Sequence, residues 1–526
     1  MADYDADVII VGAGHNSLTA ALYIQKAGHK VLIIEKAEVP GGASKTAELL
    51  EPGFKHDLYA TNIGQFLGSR VYADFQDAFR RSGFDIVAIN QPFANVFPNG
   101  NCIRMYTDAE KAYQELARFA SRDGQAWNEM VAYFSTIAPY MFPILQLPIP
   151  SVKMLLHFWK IYRQLGFNDA LNLVKVLLTP TREFFDERFQ TEEAKALLSP
   201  WAFHLGLSPD CAGGATFSFL ESVADHLNGL AISKGGVGNL IHAMVKVIEE
   251  GGGRLLYGNM VTEIVTHNGA AVGVKTADGQ TYHAKKAVLA TVTPRQFIEL
   301  VDQKELPEKF VTSCRNFQYG PGTLMIHLTL NKPLEWEAAE DLTNSAYIHI
   351  APYVSDISNT YSQIMNGLLP SNPLLVVAQQ SIHDPERAPE GKHVMWIQAR
   401  AFPQEIKGDA LDEIKVGSWD TMKEPIYERI INKISVYAPQ IRDIIRKAVV
   451  HTPQDLENDD PNLVGGDMVG GAHHLHQFFL FRPVPGWSRY KTPVKRLYLT
   501  GQSTWPGCGM NASAGHLAAM ELLRGK

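Results

Sequence analysis

Near its N-terminus the chain reads Asp7-Val8-Ile9-Ile10-Val11-Gly12-Ala13-Gly14-His15-Asn16-Ser17, and after an amphipathic run it reads Lys30-Val31-Leu32-Ile33-Ile34-Glu35. The continuous apolar runs over 8–11 and 31–34 are typical of strands buried on both faces of a parallel sheet. The amphipathic run predicts a helix over about 17–27, which Gly28 ends. The stretch therefore predicts a strand, a glycine turn, a helix and a second strand.

The glycine turn has the properties of a dinucleotide-binding loop. Gly12 permits the tight turn, and Gly14 lets a pyrophosphate approach the backbone. The following helix points its free N–H groups and its positive dipole end at that phosphate. Glu35 closes the second strand 21 residues after Gly14, where an acidic side chain can hydrogen-bond a ribose hydroxyl. We therefore predict a Rossmann-type dinucleotide site.

Two details refine this prediction. Ser17 stands where the usual motif has its third glycine, which is a small departure because serine adds only a short side chain between helix and strand. Just past Glu35, a second glycine pair begins the run Gly41-Gly42-Ala43-Ser44. NAD does not need this second loop, whereas the longer FAD molecule runs past it. The expected cofactor is therefore FAD.

Composition sets broad limits on the function. The chain has 526 residues and is 46% hydrophobic and 20% charged, which predicts a globular protein of two or three domains. A net charge of −7 argues against a nucleic-acid partner. The acidic start of the chain lacks the features of a signal peptide, so we expect a cytoplasmic protein. The cysteines are far apart and give no metal-binding or redox motif: Cys102, Cys211, Cys314 and Cys508.

The dinucleotide-binding pattern is interrupted and then resumes at about residue 231. Gly235 to Leu240 opens a helix that runs to Glu250, and strands follow at 254–257 and 261–265. A hairpin turns at Asp278-Gly279, and 286–291 predicts a further buried strand. Alternating patterns over 323–398 predict a mainly antiparallel substrate domain, and 421–448 predicts a helix. A strand, a glycine turn and a closing helix return at 496–523.

The region 130–182 has a distinct composition. Residues 108–129 predict a solvated amphipathic helix, whereas Met130 to Val152 carries no charge. Its prolines argue against one straight membrane-spanning helix. Residues 153–182 then carry five basic side chains and one acidic one, mixed with aromatic residues. We favour the interpretation that this region forms a helical lid that covers a substrate cavity. Peripheral contact with a membrane surface is a further role that the sequence leaves open.

Four separated segments, 7–44, 235–291, 466–490 and 496–523, together resemble the FAD-dependent phytoene desaturase-like oxidoreductases, which are related to the flavin amine oxidases. The residues that carry the resemblance include Val11 to Asn16, Glu35-Lys36, Gly41 to Ala43, Gly235 to Leu240, Asp278-Gly279, Arg482-Pro483 and Leu497 to Gly501. The run Trp505-Pro506-Gly507-Cys508-Gly509 is similar to the His-Pro-Gly-Gly-Gly region of that family. Within it, the β-carotene ketolase-like branch is the most similar in appearance.

The resemblance implies an α/β fold: a Rossmann-type FAD-binding domain of the p-hydroxybenzoate hydroxylase or amine oxidase type, an α+β substrate domain and a helical insertion. It implies FAD-binding segments at 1–100, 231–300 and 466–526, a helical region at 101–230 and a substrate domain at 301–465. The implied FAD contacts are Gly12, Gly14, His15, Asn16, Ser17, Glu35, Lys36, Gly42, Ala43, Ser44, Val261, Gly501, Gln502, Met510, Asn511 and Ala512.

Catalysis is less well defined by the sequence. Desaturation needs a hydride to leave to flavin N5 and a proton to leave to a base or to solvent. His473, His474 and His476 precede the Arg-Pro segment and are candidate bases, although packing or loop histidines are the other interpretation. Trp505 lies where the resemblance places the substrate against the flavin. No metal-ligand spacing stands out, so no metal site is predicted.

These observations favour an FAD-dependent oxidoreductase that removes hydride from a large, mainly apolar substrate such as a terpenoid, carotenoid or alicyclic compound. The expected cavity lining is aromatic and weakly charged: Phe134, Tyr140, Met141, Phe142, Phe158, Trp159 and Tyr162. Two alternatives stay open, namely a flavin amine oxidase-like enzyme and a flavin-fold binding protein without redox chemistry. The intact Gly12, Gly14, Gly42 and Glu35 favour an enzyme.

Overall fold

The computed structural model describes residues 4–507 and 509–525. Its strands are β1 (Ala6–Val11), β2 (Val31–Ile34), β3 (Thr46–Ala47), β4 (His56–Asp57), β5 (Ile86–Ile89), β6 (Phe93–Val96), β7 (Cys102–Arg104), β8 (Leu230–Ser233), β9 (Arg254–Leu256), β10 (Val261–His267), β11 (Ala270–Thr276), β12 (Thr281–Ala290), β13 (Gly322–Leu330), β14 (Tyr347–Ile350), β15 (Leu368–Leu369), β16 (Leu374–Ala378), β17 (His393–Phe402), β18 (Gly408–Asp409), β19 (Ile445–His451) and β20 (Leu497–Leu499).

The helices are α1 (His15–Lys26), α2 (Gly64–Leu67), α3 (Arg70–Arg81), α4 (Ala109–Ala117), α5 (Ser121–Ile144), α6 (Val152–Leu178), α7 (Thr181–Asp186), α8 (Glu192–Leu198), α9 (Pro200–Phe203), α10 (Gly214–Asn228), α11 (Gly238–Glu250), α12 (Pro294–Leu300), α13 (Glu308–Arg315), α14 (Val354–Met365), α15 (Gln380–His383), α16 (Trp419–Ser435), α17 (Ile441–Ile444), α18 (Pro453–Asp459) and α19 (Ser513–Arg524).

The first sheet has the parallel arrangement that the N-terminal sequence predicts. β1 lies between β12 and β2 and pairs in parallel with both, while β9 extends the sheet beyond β2 and β20 pairs in parallel with β12. Val8, Ile9 and Ile10 are fully buried, as expected of a central strand with both faces covered. The carboxyl ends of these parallel strands meet at one edge, where ligands bind in such sheets.

The sequence predicts a hairpin that turns at Asp278-Gly279 and a separate strand at 286–291, and this division is wrong. β12 runs from Thr281 to Ala290 without a break. Its first part pairs antiparallel with β11, and its last part pairs in parallel with β1 and β20. One long strand therefore joins the hairpin that turns at Asp278-Gly279 to the parallel core.

The second sheet is mainly antiparallel, in the order β19-β13-β17-β16-β14-β6-β7. The exception is β6, which pairs in parallel with β14. Segment 1–100 therefore contributes strands to both sheets. The single helix predicted over 421–448 is wrong, because α16 ends at Ser435 ahead of Pro439, and the chain from Ile445 pairs with β13 as strand β19.

The helical region between the two sheets also differs from expectation. The helix predicted over 108–129 divides into α4 and α5, which are separated by residues 118–120. α5 continues through Pro139 and Pro143 to Ile144, while Pro148 and Pro150 lie in the turn before α6. α6 bends at Gly166, whose φ of 79° is not helical. Across the described residues, the helices lack the length and apolar content that a membrane crossing requires.

A buried ionic network joins the two sheets. The Arg387 guanidinium donates to Asp57 (2.7 Å) and Asp384 (2.9 Å), and all three side chains are inaccessible to solvent. Asp57 also accepts from the backbone N–H of Val237, and Asp384 accepts from that of Gly235. The glycine turn before α11 is therefore fixed to a loop that precedes strand β17 of the second sheet.

Candidate FAD and substrate site

The N-terminus of α1 lies at the carboxyl edge of the parallel sheet and has no side-chain cap. Its N-cap is Gly14, and its first turn contains no acidic residue. A Cβ atom added at Gly14 would meet no heavy atom within 4 Å, so the backbone faces open space. Gly12 holds a φ of 89°, which a side chain disfavours. Uncapped N–H groups beside an open glycine form a suitable site for a pyrophosphate.

Glu35 lies at the carboxyl end of β2 and is anchored by two backbone donors. Its Oε2 accepts from the Ala13 N–H (2.6 Å) and its Oε1 from the Ala37 N–H (2.8 Å). The carboxylate therefore contacts the glycine loop directly and keeps further lone pairs for a ribose hydroxyl. The exposed Lys36 next to it reaches the carbonyl of Asn458 (3.4 Å).

The second glycine pair lies against the first loop. The Gly41 N–H donates to the Ala13 carbonyl at 2.9 Å, and Gly41 and Gly14 form an isolated bridge. A Cβ atom on Gly42 would lie 3.5 Å from Gly14 Cα and 3.3 Å from an Asp460 carboxyl oxygen. Both loops thus present bare backbone to one space, as a long dinucleotide requires.

The residues after the second glycine pair reach the C-terminal segment. Ser44 is buried, and its hydroxyl donates to the Met510 sulfur at 3.6 Å, while Ala43 lies beside it. Asn16 Oδ1 accepts from the Gly515 N–H (3.0 Å), which fixes the start of α1 to the first turn of α19. The two helix starts therefore lie together, one from each end of the chain.

The start of α19 contains the other predicted flavin contacts. Ala512 is its N-cap with a φ of 57°, and Asn511 Oδ1 accepts from the Ser513 N–H (2.9 Å). Cys508, part of the motif that precedes this turn, lies outside the described residues. His15, at the start of α1, is buried, which lowers its pKa to about 4 and keeps the imidazole neutral.

Several buried polar atoms at this edge fit a bound cofactor. Ser17 Oγ, Thr291 Oγ1 and Gln502 Oε1 have no hydrogen-bond partner among the described residues. A Cβ atom on Gly501 would lie 3.3 Å from the Thr291 methyl carbon, so this turn adjoins the end of β12. Because buried polar groups are normally satisfied, these orphan atoms point to an FAD that supplies their partners.

Val261 begins β10 and is buried. The N–H of Asn259, two residues earlier, donates to the Glu35 carbonyl at 2.9 Å. Val261 therefore lies near Glu35, the predicted ribose contact.

The three candidate histidines have different surroundings. His473 is buried beside Phe217 and Phe478, with ring centroids 6.4 and 5.5 Å away. Burial lowers the pKa of His473 well below its usual range. His474 Nε2 lies 3.3 Å from the Tyr361 hydroxyl, and the exposed His476 lies 3.2 Å from Gln318 Oε1. Of the three, His473 is the one that lies in the core, next to the C-terminal loop.

Trp505 is completely buried, and its hydrogen bonds join the C-terminal loop to the helical region. Its Nε1–H donates to the Leu147 carbonyl (2.9 Å), and its own carbonyl accepts from the Tyr490 hydroxyl (2.7 Å). The indole packs on Phe478 and Phe479. Its single N–H donor is therefore already engaged within the protein.

Arg482, from the Arg-Pro segment of the family resemblance, holds the neighbouring loop in place. Its buried guanidinium donates to the carbonyls of Gly470 (2.8 Å), Ala472 (3.1 Å) and Gln502 (2.9 Å). The segment that leads into His473 and the glycine turn after β20 are thus fixed to each other by the Arg482 guanidinium.

Some of the aromatic residues predicted to line a cavity lie on the surface instead. Phe134 is buried, but Phe142, Phe158, Trp159 and Tyr162 are exposed. The buried aromatic residues of this part of the core come from other elements, because α7, α9 and α10 supply Phe184, Trp201 and Phe219, and the second sheet supplies Phe93, Tyr347 and Trp396. These residues are far apart in sequence, so sequence spacing gives no signal for them.

Polar residues interrupt this aromatic part of the core. His204 Nε2 lies 3.1 Å from His349 Nε2, and burial lowers the pKa of both rings. The Arg400 charge lowers both pKa values further. On α10, Glu221 and Asp225 add two carboxyl groups that no sequence motif singles out. Among the described residues, no group of three His, Cys, Asp or Glu side chains is arranged to hold a metal ion.

The chain matches known proteins over most of its length. It is 26% identical to the pyridine nucleotide-disulfide oxidoreductase domain-containing protein 2 of Rattus norvegicus, over 99% of this chain and 94% of that protein. It is also 26% identical to one component of the limonene dehydrogenase of Castellaniella defragrans, over 98% and 93%. The structure resembles cyclohexylamine oxidase from Brevibacterium oxydans, with a TM-score of 0.61 at 14% identity and 99% coverage of both chains.

The model of one protein family, flavin containing amine oxidoreductase, matches residues 18–414. This span and the structural likeness confirm the expected FAD-binding fold. Together with the two glycine loops, Glu35 and the orphan polar atoms at the sheet edge, they identify the chain as an FAD-dependent oxidoreductase that belongs to the flavin containing amine oxidoreductase family.

Proposed function

We propose that the protein is a dehydrogenase or desaturase of the phytoene desaturase-like type, which passes a hydride from a large, mainly apolar substrate to FAD. FAD supplies the hydride acceptor, and Glu35, the glycine loops and the helix starts hold it. The observation that carries the proposal is the continuous buried aromatic and aliphatic cluster between α5, α7, α10 and the second sheet. An apolar substrate that enters between these elements would gain roughly 25 cal/mol per Å² of apolar area that it buries.

Relatives support this choice over oxidation of a charged amine. Limonene, which names one relative, is an uncharged hydrocarbon. An ammonium substrate would need a paired carboxylate to offset its desolvation. Glu221 and Asp225 are the carboxyl groups on the α10 face, and burial raises the pKa of each, so the pair carries less negative charge than two exposed carboxylates would. This environment suits an uncharged substrate better than a cation.

The test is anaerobic mixing of the oxidised holoprotein with two sets of compounds. The first set contains limonene, phytoene and cyclohexanone, and the second contains amino acids and putrescine. We expect flavin bleaching with a member of the first set only. Bleaching by the second set alone would support the amine oxidase alternative, and a purified protein without flavin would support the binding-protein alternative.

The exposed face of α6 supports a second part of the proposal, namely peripheral contact with an anionic membrane. Its large apolar side chains are exposed in two helical stripes, one on each side of Gly166: Val152, Leu155, Trp159 and Tyr162, then Phe167, Leu171, Val174 and Leu178. Lys153, Lys160, Arg163 and Lys175 flank these stripes. A basic helix with an exposed apolar face has the composition of an interfacial helix.

The surroundings of α6 fit this surface role. A surface cavity of about 300 Å³ adjoins the start of α6, and Lys153, Arg70 and Arg524 line it. Behind the helix, Val176 is buried in the same aromatic cluster as Phe134 and Phe219. An apolar substrate dissolved in a bilayer would therefore be close to the helices that cover the proposed binding region.

A further inference from the structure

One face of α10 carries Phe217, Glu221 and Asp225, four residues apart and therefore on the same side of the helix. Phe217 packs on His473 and Phe478. Glu221 accepts from the Gln65 amide at 3.2 Å. Asp225 is 7% exposed, and its Oδ2 has no hydrogen-bond partner among the described residues.

This face of α10 extends from the turn that precedes Met510 to the second sheet. A Cβ atom on Gly509 would overlap Gln65 Oε1, so Gln65 links Glu221 to the turn that precedes Met510 and α19. One helical turn further along, the Asp225 charge acts on Tyr347 of β14, whose pKa is raised mainly by burial and then by Asp225. Asp225 therefore lies at the end of this α10 face that is near Tyr347 of the second sheet, one helical turn beyond Glu221.

Asp123 is a buried carboxylate with a structural role, and its hydrogen bonds differ from those of Asp225. The buried Asp123 accepts from the N–H groups of Gln190 and Thr191 and from the Thr191 hydroxyl. Asp225 instead leaves a buried oxygen unpartnered among the described residues, which costs about 1–3 kcal/mol or more for such a group. A fold gains no stability from this arrangement, so a role in binding or chemistry is the better explanation for it.

We propose that Asp225, supported by Glu221, accepts the proton that the substrate loses when its hydride passes to the flavin. This inference rests on the proposed function. One substrate C–H bond gives its hydrogen and both electrons to FAD, and the adjacent C–H bond gives its proton to the pair. The electrons of that second bond form the new C=C bond. FAD is reduced by two electrons, and the substrate loses two hydrogens.

The pair suits this task better than the neighbouring histidine. Burial, then the Glu221 charge, raises the pKa of Asp225 well above its ordinary value. When one carboxyl group of such a pair holds a proton and the other is ionised, the ionised one is a stronger base than a carboxylate in water. Burial has the opposite effect on His473, whose lowered pKa makes it a weak base.

The first test needs no substrate. Infrared difference spectra would be recorded between the oxidised and the photoreduced holoprotein. We expect a shifted carbonyl band of a protonated carboxylic acid, because the charge on reduced flavin acts on the pair. This band should disappear or move in Asp225→Asn and Glu221→Gln and stay in Asp77→Asn, which changes an exposed carboxylate on α3. A wild-type spectrum without the band, or variants that retain it unchanged, would overturn the proposal.

The second test uses the compound that bleaches the wild-type flavin under anaerobic conditions. Asp225→Asn should keep its FAD and its thermal stability and lower the bleaching rate by about 10²- to 10⁴-fold, as expected for loss of a general base. An unchanged rate in Asp225→Asn would refute the role of Asp225. If no apolar compound bleaches the wild type, the proposed function fails instead, and the infrared result still decides whether the pair carries a proton beside the flavin.

Discussion

The smallest feature with a large consequence is the missing side chain of Gly14. Its φ of −69° is accessible to any residue, and a Cβ atom there would contact nothing within 4 Å. The protein alone therefore gives no reason for glycine at this position. A pyrophosphate bound at the uncapped start of α1, as we propose, would give one.

We predict that Gly14→Val yields a folded but colourless protein, because the branched side chain would occupy the pyrophosphate path without any clash in the empty site. The absorbance of bound flavin and the thermal unfolding midpoint would both be measured. The matched control is Gly68→Val, at an exposed helix end with a φ of −79° and ordinary contacts only. A yellow Gly14→Val protein would show that the phosphates lie elsewhere.

Local spacing explains why the candidate FAD residues can be recognised in the sequence and the proposed base cannot. Gly12, Gly14 and Glu35 belong to one continuous strand–helix–strand unit, so their geometry follows from the sequence between them. Asp225 acquires its properties from elements that are remote in the chain. Its neighbour Glu221 meets Gln65, and its own charge acts on Tyr347. A single acidic residue in a helix gives no such signal.

At the scale of elements, Arg387 fixes the loop before β17 to β4 and to the glycine turn before α11. Its guanidinium pairs with both Asp57 and Asp384, and all three side chains are buried. We predict that Arg387→Met lowers the free energy of unfolding by about 3–5 kcal/mol, because two carboxylates lose their buried partner. Chemical denaturation of the holoprotein would measure the loss.

The control for this prediction is Arg442→Met, which removes an exposed ion pair with Glu428 and should cost less than about 1 kcal/mol. Equal losses for the two variants would mean that the buried network contributes no more than a surface pair. The sequence could not predict this network, since Asp57 and Arg387 are 330 residues apart.

The exposed stripes of α6 lead to a second prediction at this scale. Leu155→Ser with Trp159→Ser should reduce binding to phosphatidylglycerol vesicles by about 10²- to 10⁴-fold, because each of the two side chains loses apolar burial worth about 1.5–3 kcal/mol. High salt should also weaken wild-type binding. Cosedimentation with vesicles would measure both effects.

The matched control is Met365→Ser with Leu411→Ser, which removes two exposed apolar side chains away from α6. It should bind vesicles as the wild type does. If the wild type fails to bind at low salt, the membrane proposal is wrong. If the α6 variant instead changes the oligomeric state, the exposed stripes of α6 form an interface between two copies of the chain.

At the scale of the whole molecule, buried neutral histidines make the fold sensitive to acid. Burial lowers the pKa of His15 and His56 to about 4 and that of His349 to about 3. The unfolded chain, with histidine pKa values near 6.5, therefore binds more protons than the folded one below that pH. Stability should fall as the pH drops from about 6.5 toward 4.

We expect the free energy of unfolding to decrease by several kcal/mol between pH 7 and pH 5, as each buried histidine contributes up to about 1.4 kcal/mol per unit of pKa shift. His349→Gln should reduce this pH dependence, whereas His476→Gln, at an exposed position, should not. Denaturant titrations at the two pH values would measure the effect. Because buried carboxyl groups with raised pKa values act in the opposite direction, the comparison is between variants: a pH dependence that is the same in His349→Gln and in the wild type would contradict the neutral state of the His349 ring.

The molecule as a whole is proposed to be a flavin enzyme that takes hydride from an apolar compound. A single anaerobic turnover tests this proposal most directly. The holoprotein is mixed with limonene, phytoene or cyclohexanone, and the amount of reduced flavin is measured by absorbance. The mass of the product is then measured by mass spectrometry. We predict one product that has lost two hydrogens for each flavin reduced. Bleaching by putrescine or amino acids alone, with the apolar compounds recovered unchanged, would show that the substrate is a charged amine instead.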